Sequence, residues 1–135
     1  MKMIRYLLPL LLVVAACTPS KNIRTRTGSN ILMERNNGEE YDLIIIDSGF
    51  DRWFSQHAKA PTFYSLPYYE QQNRRYVSAW NEKASMPQFY NSTNYPFENQ
   101  IDYDYSKSYG LELNYRLFYY FKYIEDVYGA RYSFP

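Results

Sequence analysis

The chain has one cysteine, Cys17, and one histidine, His57, in 135 residues. A lone cysteine excludes an intramolecular disulfide. A lone histidine excludes a multi-histidine metal site, and no zinc ligand set remains. An excess of one charge is also missing, since 15 Lys and Arg face 14 Asp and Glu. Such a balance, with both signs interspersed, gives no electrostatic footprint for nucleic acid. Nor is there a long apolar run. The best, residues 6–14, is interrupted by Pro9 and falls far short of the roughly 20 residues a spanning helix needs. Aliphatic side chains are scarce outside Leu43-Ile44-Ile45-Ile46. In their place stand 17 Tyr, 8 Phe and 2 Trp, 20% of the chain, so the core must be built from rings. A buried Tyr brings a large apolar body and a hydroxyl that needs a partner.

The N-terminus has the architecture of a secretory signal. Lys2 and Arg5 form a basic region, residues 6–14 an apolar one, and Val14-Ala15-Ala16-Cys17 follows. Val-Ala-Ala-Cys resembles a bacterial lipobox, which makes residues 1–16 a lipoprotein signal peptide and Cys17 the acylated residue. Several acyl chains anchor stably, at about 0.8 kcal/mol per buried methylene. Residues 17–30, polar and carrying Lys21, Arg24 and Arg26, read as a flexible tether. Residues 31–135 read as one small aromatic-rich domain.

Within that domain, Tyr41-Asp42-Leu43-Ile44-Ile45-Ile46-Asp47 has the composition of a strand, bounded by Asn37-Gly38 and Ser48-Gly49. Its continuous apolar run suggests cover on both faces. A hairpin with residues 31–35 is compatible with the turn signal. Phe50, Trp53, Phe54 and His57 share helical spacing, and Pro61 ends any helix there. Ser65-Leu66-Pro67 is a helix start, followed by Tyr69, Tyr76, Val77, Trp80 and Ala84 on one face. Residues 86–108 make a connection longer than compact domains usually carry. Leu113, Leu117, Tyr120, Phe121, Ile124 and Tyr128 then form a second stripe, and Gly129 suits the position after a helix end. The fold class these patterns predict is α+β: a short sheet around residues 41–47 packed against two long amphipathic helices, about 66–83 and 110–128.

Three ordered blocks carry a resemblance. The first is residues 41–47 with Gly49, Phe50, Asp51 and Trp53. The second is Phe63-Tyr64-Ser65, Tyr68-Tyr69-Glu70, Asn73-Arg74, Tyr76-Val77 and Trp80-Asn81. The third is Glu98-Asn99, Ile101-Asp102-Tyr103 and residues 109–115 through 119–123. Together they resemble a family of small Bacteroidota lipoproteins that carry a domain of unknown function. The resemblance implies an envelope location, and no activity, cofactor or catalytic residue. Thr18-Pro19-Ser20-Lys21-Asn22 lacks the acidic run found after the cysteine in some surface-exposed lipoproteins of that phylum, which favours a periplasm-facing protein.

Candidate sites are weighed against ordinary structural roles. The loop tyrosines Tyr95, Tyr103 and Tyr105 serve no helix face, and with Trp53 they are the candidate binding surface. Asp47, Asp51 and Glu112 are candidate carboxylates for acid–base work on a glycan, although Asp51 and Glu112 also suit helix N-termini. Asp102-Tyr103-Asp104-Tyr105-Ser106 is similar to a calcium loop. Lys107 stands where an EF-hand needs Gly, and Glu112 comes one place early. Expected are no metal, no cofactor and no catalytic set. The expected function is a lipid-anchored, non-catalytic binding or assembly module of a Gram-negative envelope. It would be held to the membrane by the N-terminal lipid, with an envelope protein or a glycan as partner and no nucleic acid. The alternative is a glycan- or peptidoglycan-binding protein with weak carboxylate-based hydrolase activity.

Overall fold

Three helices carry the buried core: α1 (Phe50–His57), α2 (Leu66–Ala84) and α3 (Gly110–Tyr128). The computed structural model describes residues 24–27, 31–36, 40–45, 47–91, 94–129 and 134, and among the strand side chains those of Leu43 and Ile45. Residues 1–16 and Cys17, read as signal and lipidation site, lie outside the described residues, as does most of the 17–30 tether.

α3 is the axis. Its expected stripe is buried at Leu113, Leu117, Tyr120, Phe121 and Ile124, but so are Asn114, Tyr115, Phe118, Tyr119 and Tyr123. A helix apolar on nearly every side is a core helix rather than a surface one. Its C-terminal end emerges, with Asp126, Val127 and Tyr128 exposed. Gly129, at φ 71°, takes the positive-φ position past the end, its N–H donating to the Glu125 carbonyl.

α2 starts as its sequence dictates. The Ser65 side chain accepts from the Tyr68 N–H at 3.4 Å, and Pro67 occupies the first turn. Its face of Tyr69, Tyr76, Val77 and Trp80 packs on α3, with Tyr69–Phe118 centroids at 5.3 Å and Tyr76–Phe121 at 5.0 Å. α1 covers the opposite side of α3. Phe50 meets Tyr120 at 5.5 Å, and Phe54 meets Tyr115 at 5.2 Å, both edge to face. Edge-to-face pairs place a positive ring edge on a negative face and add about 0.5–1.5 kcal/mol beyond area burial.

Two tyrosine hydroxyls of α3 find backbone partners far away in sequence. After α1, the Lys59 N–H donates to Tyr119 Oη at 3.0 Å, and the Lys59 carbonyl accepts from Tyr115 Oη at 2.7 Å. Both backbone polar groups of one residue in an irregular segment are thus held by two tyrosines one turn apart on α3. A short 3-10 turn, Pro61–Phe63, then leads into α2.

The described residues of the connection from 86 to 109 are structured. Phe97, Ile101, Tyr103 and Tyr109 are buried. Trp80 Nε1 donates to the Asn99 carbonyl at 2.8 Å. Asn81 treats Ile101 as a neighbouring strand would, donating to its carbonyl at 2.9 Å and accepting from its N–H at 2.6 Å. Phe134 closes this end, its ring 5.3 Å from both Tyr76 and Phe121.

The strands β1 (Arg24–Thr27), β2 (Ile31–Asn36) and β3 (Glu40–Ile45) form an antiparallel ladder in the order β1-β2-β3, with Ile31 opposite Ile45 and Met33 opposite Leu43. β1 lies inside the stretch expected to be a tether. Leu43 and Ile45, two residues apart and so on one face, are half-buried against the helical core.

The α+β expectation is corrected here. From residue 47 to 129 the described chain holds helices and no strand, and every buried side chain described belongs to that part or is Phe134. The two long helices bury their faces chiefly against each other, α1 and the connection, and β3 touches α3 only from the margin. The domain is helical, with the ladder peripheral to it. The physical reason is that the aromatic faces supply one another with partners. The aliphatic run that suggested a central layer contributes only the half-buried Leu43 and Ile45 among its described side chains.

Candidate functional site

A buried polar network sets the geometry of one surface. Asn73 on α2 and Asn114 on α3 are fully buried. Asn73 Nδ2 donates to the Asn114 carbonyl at 2.8 Å and to its Oδ1 at 3.0 Å. Tyr103 Oη donates to the same Oδ1 at 2.8 Å, and Asn114 Nδ2 donates to the Gly110 carbonyl at 2.8 Å. Burial pushes the Tyr103 phenol up to about 12, and the negative charge of Glu70 adds to the effect.

Tyr105 stands on this foundation. Its ring lies 5.9 Å from that of Tyr103 and is 47% exposed. It is latched to α2 in both directions: Arg74 Nη2 donates to the Tyr105 carbonyl at 3.3 Å, and Tyr105 Oη donates to the Arg74 carbonyl at 3.4 Å. Beside this latch lies an open groove of about 480 Å³ lined by Arg74, Arg75, Ser78, Ala79, Glu82 and Tyr105. Residues 75, 78, 79 and 82 follow the i, i+3, i+4, i+7 spacing that places side chains on one helix face. The small Ala79 makes the floor, and the long side chains and the tyrosine ring make the walls.

The sequence-predicted residues are dispersed. Tyr103 is a core residue, and Tyr95 is half-buried with its ring 5.3 Å from Tyr90. Of the three loop tyrosines, Tyr105 alone lines the groove. Trp53 is half-buried, with Nε1 donating to Asp126 Oδ2 at 2.7 Å and its indole stacked on His57 at 4.6 Å. His57 Nδ1 lies 2.8 Å from the Trp53 carbonyl, to which only a protonated Nδ1 can donate. Asp47 Oδ1 accepts from the Gly49 N–H at 2.9 Å and from Tyr123 Oη at 3.1 Å. Burial, then the charge of Asp47, pushes the Tyr123 phenol up to about 12. Asp51 pairs with Arg116 at 3.2 Å, and that guanidinium also lies 5.2 Å from the centre of the Phe54 ring. Glu112 is exposed in the first turn of α3. Asp47 and Asp51 therefore serve separate structural partners seven residues apart on α3. Asp104 is turned on its own loop, accepting from the Ser106 N–H at 2.9 Å and hydroxyl at 2.7 Å, which holds its carboxyl below the usual range. No three potential metal ligands gather among the described residues.

Arg74, Arg75 and Glu82 lie off the apolar face of α2. The spacing 75, 78, 79, 82 was the available signal for the groove. Its partner Tyr105 was visible only as a tyrosine with no helix to serve.

The fold and this surface define a small aromatic-cored helical domain with an open mixed-charge groove. Residues 5–133 match a family of unknown function, DUF6146, and the chain belongs to that family. No curated protein and no solved structure matches it. Among the described residues no helix is long and apolar enough to cross a membrane.

Proposed function

We propose that this protein is a non-catalytic binding or assembly module of a Gram-negative cell envelope, anchored by an acylated Cys17 and facing the periplasm. The lipobox-like Val14-Ala15-Ala16-Cys17 supports the anchor, as does the resemblance to small Bacteroidota lipoproteins. The observation that carries the binding reading is the two-way latch between Arg74 and Tyr105 beside an open groove. A ring held by its neighbours loses little entropy when a partner covers it, so the surface is preorganised for contact. The structural partners of Asp47 and Asp51 favour this reading over the carboxylate hydrolase.

Two measurements test it. Metabolic labelling with a clickable fatty acid should mark the protein and fail for Cys17→Ala; equal labelling of both sinks the anchor. In-cell cross-linking should capture a reproducible envelope component from the native protein and lose it in Tyr105→Ser. Retained capture by that variant removes this surface from the reading.

A further inference from the structure

We infer that the groove on the outer face of α2 takes a short peptide of about three residues, with a free carboxylate at one end and an ammonium group at the other. The inference rests on the binding-module reading and names the ligand chemistry of its surface.

The charges are arranged by sign along the groove. Arg74 and Arg75 lie at one end and Glu82 at the other. Seven residues of helix from Arg75 to Glu82 advance about 10 Å, and three residues of extended chain span about 10 Å. A guanidinium presents a planar fork of donors that matches a carboxylate. Arg74 spends one nitrogen on the Tyr105 carbonyl, which fixes the plane and leaves its remaining donors for a ligand. Among the described residues neither the Arg75 guanidinium nor the Glu82 carboxylate has a hydrogen-bond or ion-pair partner. Between the ends lie the Ala79 floor, the Tyr105 ring and one hydroxyl, that of Ser78. That middle suits a backbone with small side chains. The volume of about 480 Å³ lies within the range of small-ligand sites, about 300–1,000 Å³.

The same arrangement argues against other ligands. A polyanion would meet Glu82, and a single acidic sugar would leave Glu82 unmatched at the far end. A wholly apolar partner would bury three charges without compensation, which is costly.

The test uses the detergent-solubilised full-length protein and isothermal titration with tri-alanine. Tri-alanine should bind, and amidating its carboxylate or acetylating its amine should each weaken binding about tenfold, the worth of one charge-assisted contact. Glu82→Gln should remove the sensitivity to acetylation but keep that to amidation. Arg75→Gln should blunt the sensitivity to amidation. All the changed groups are exposed, and unchanged circular dichroism confirms the fold. Absence of tri-alanine binding overturns the proposal, as does equal binding of the capped peptides. Tighter binding of glucuronate than of tri-alanine also overturns it. Cross-linking of an envelope component that Tyr105→Ser abolishes, together with no peptide binding, removes the peptide and leaves the binding module.

Discussion

Asn114→Ala should be among the most damaging single changes in this protein, for reasons separate from its size. Asn114 Oδ1 accepts from both Tyr103 Oη and Asn73 Nδ2. Truncation leaves Asn73 with the Asn114 carbonyl at 2.8 Å, so that donor survives. The hydroxyl of Tyr103, a residue only 7% exposed, loses its acceptor. An orphaned buried hydroxyl costs about 1–3 kcal/mol, and the vacated volume adds about 1 kcal/mol. Better helix propensity returns about 0.5 kcal/mol. The net is a loss of about 1.5–3.5 kcal/mol. Tyr103→Phe removes the donor instead and leaves Oδ1 with Asn73, so it should cost only about 1 kcal/mol. In the double variant no hydroxyl is left stranded, and the two losses should fall short of their sum by about 1 kcal/mol. Urea unfolding of the four proteins, followed by tryptophan fluorescence, gives all the terms. Additivity within about 0.3 kcal/mol would show that Tyr103 and Asn114 are not energetically coupled, and the account of the network would fail.

Other expectations follow from individual contacts. A Cβ at Gly49 would stand 2.5 Å from Tyr123 Oη, so Gly49→Ala should destabilise by about 1–3 kcal/mol and Tyr123→Phe should partly rescue it; absence of rescue in thermal melts refutes the clash. Phe134→Ala empties a buried ring position against Tyr76 and Phe121 and should cost about 3 kcal/mol, whereas Phe89→Ala, 67% exposed, should change the urea midpoint little. Tyr103 and Tyr123 hold folded-state pKa values of about 12 against 10.0 unfolded. Because the folded values are raised, their contribution is intact below pH 10 and disappears between pH 10 and 12, by about 2–3 kcal/mol each; equal unfolding midpoints at pH 8 and pH 11 would contradict this.

The helices were legible because period is a local property. Ser65 and Pro67 fixed one start, and α3 ran as its stripe predicted from Gly110 to Tyr128. What the stripe could not convey was that residues off its line would be covered too, Tyr115, Tyr119 and Tyr123 by α1 from sixty residues away and Phe118 by α2. The layer order was misread for the same reason. Leu43-Ile44-Ile45-Ile46 is the most aliphatic stretch of the domain, and hydrophobicity alone made it central, while edge-to-face ring packing put α3 there instead. Of the candidate site, Tyr105 was legible as a tyrosine without a helix to serve. Tyr103 looked identical to it in sequence, and only the buried Asn73–Asn114 pair separates their fates.

The anchoring of the Lys59 backbone has a consequence for the order in which the molecule can be made. Its N–H and carbonyl are held by Tyr119 and Tyr115, so the segment after α1 acquires its partners only when α3 exists. α1 and the following turn are synthesised first and wait for a helix synthesised near the end. The segment after α1 cannot lock up early during elongation, because the closures that settle it span 56 and 60 residues. For a protein exported as proposed, that delay keeps the polypeptide extended until it has crossed the membrane. The Lys59 amide then becomes a sensor of completion, exposed to hydrogen exchange before α3 docks and protected after it.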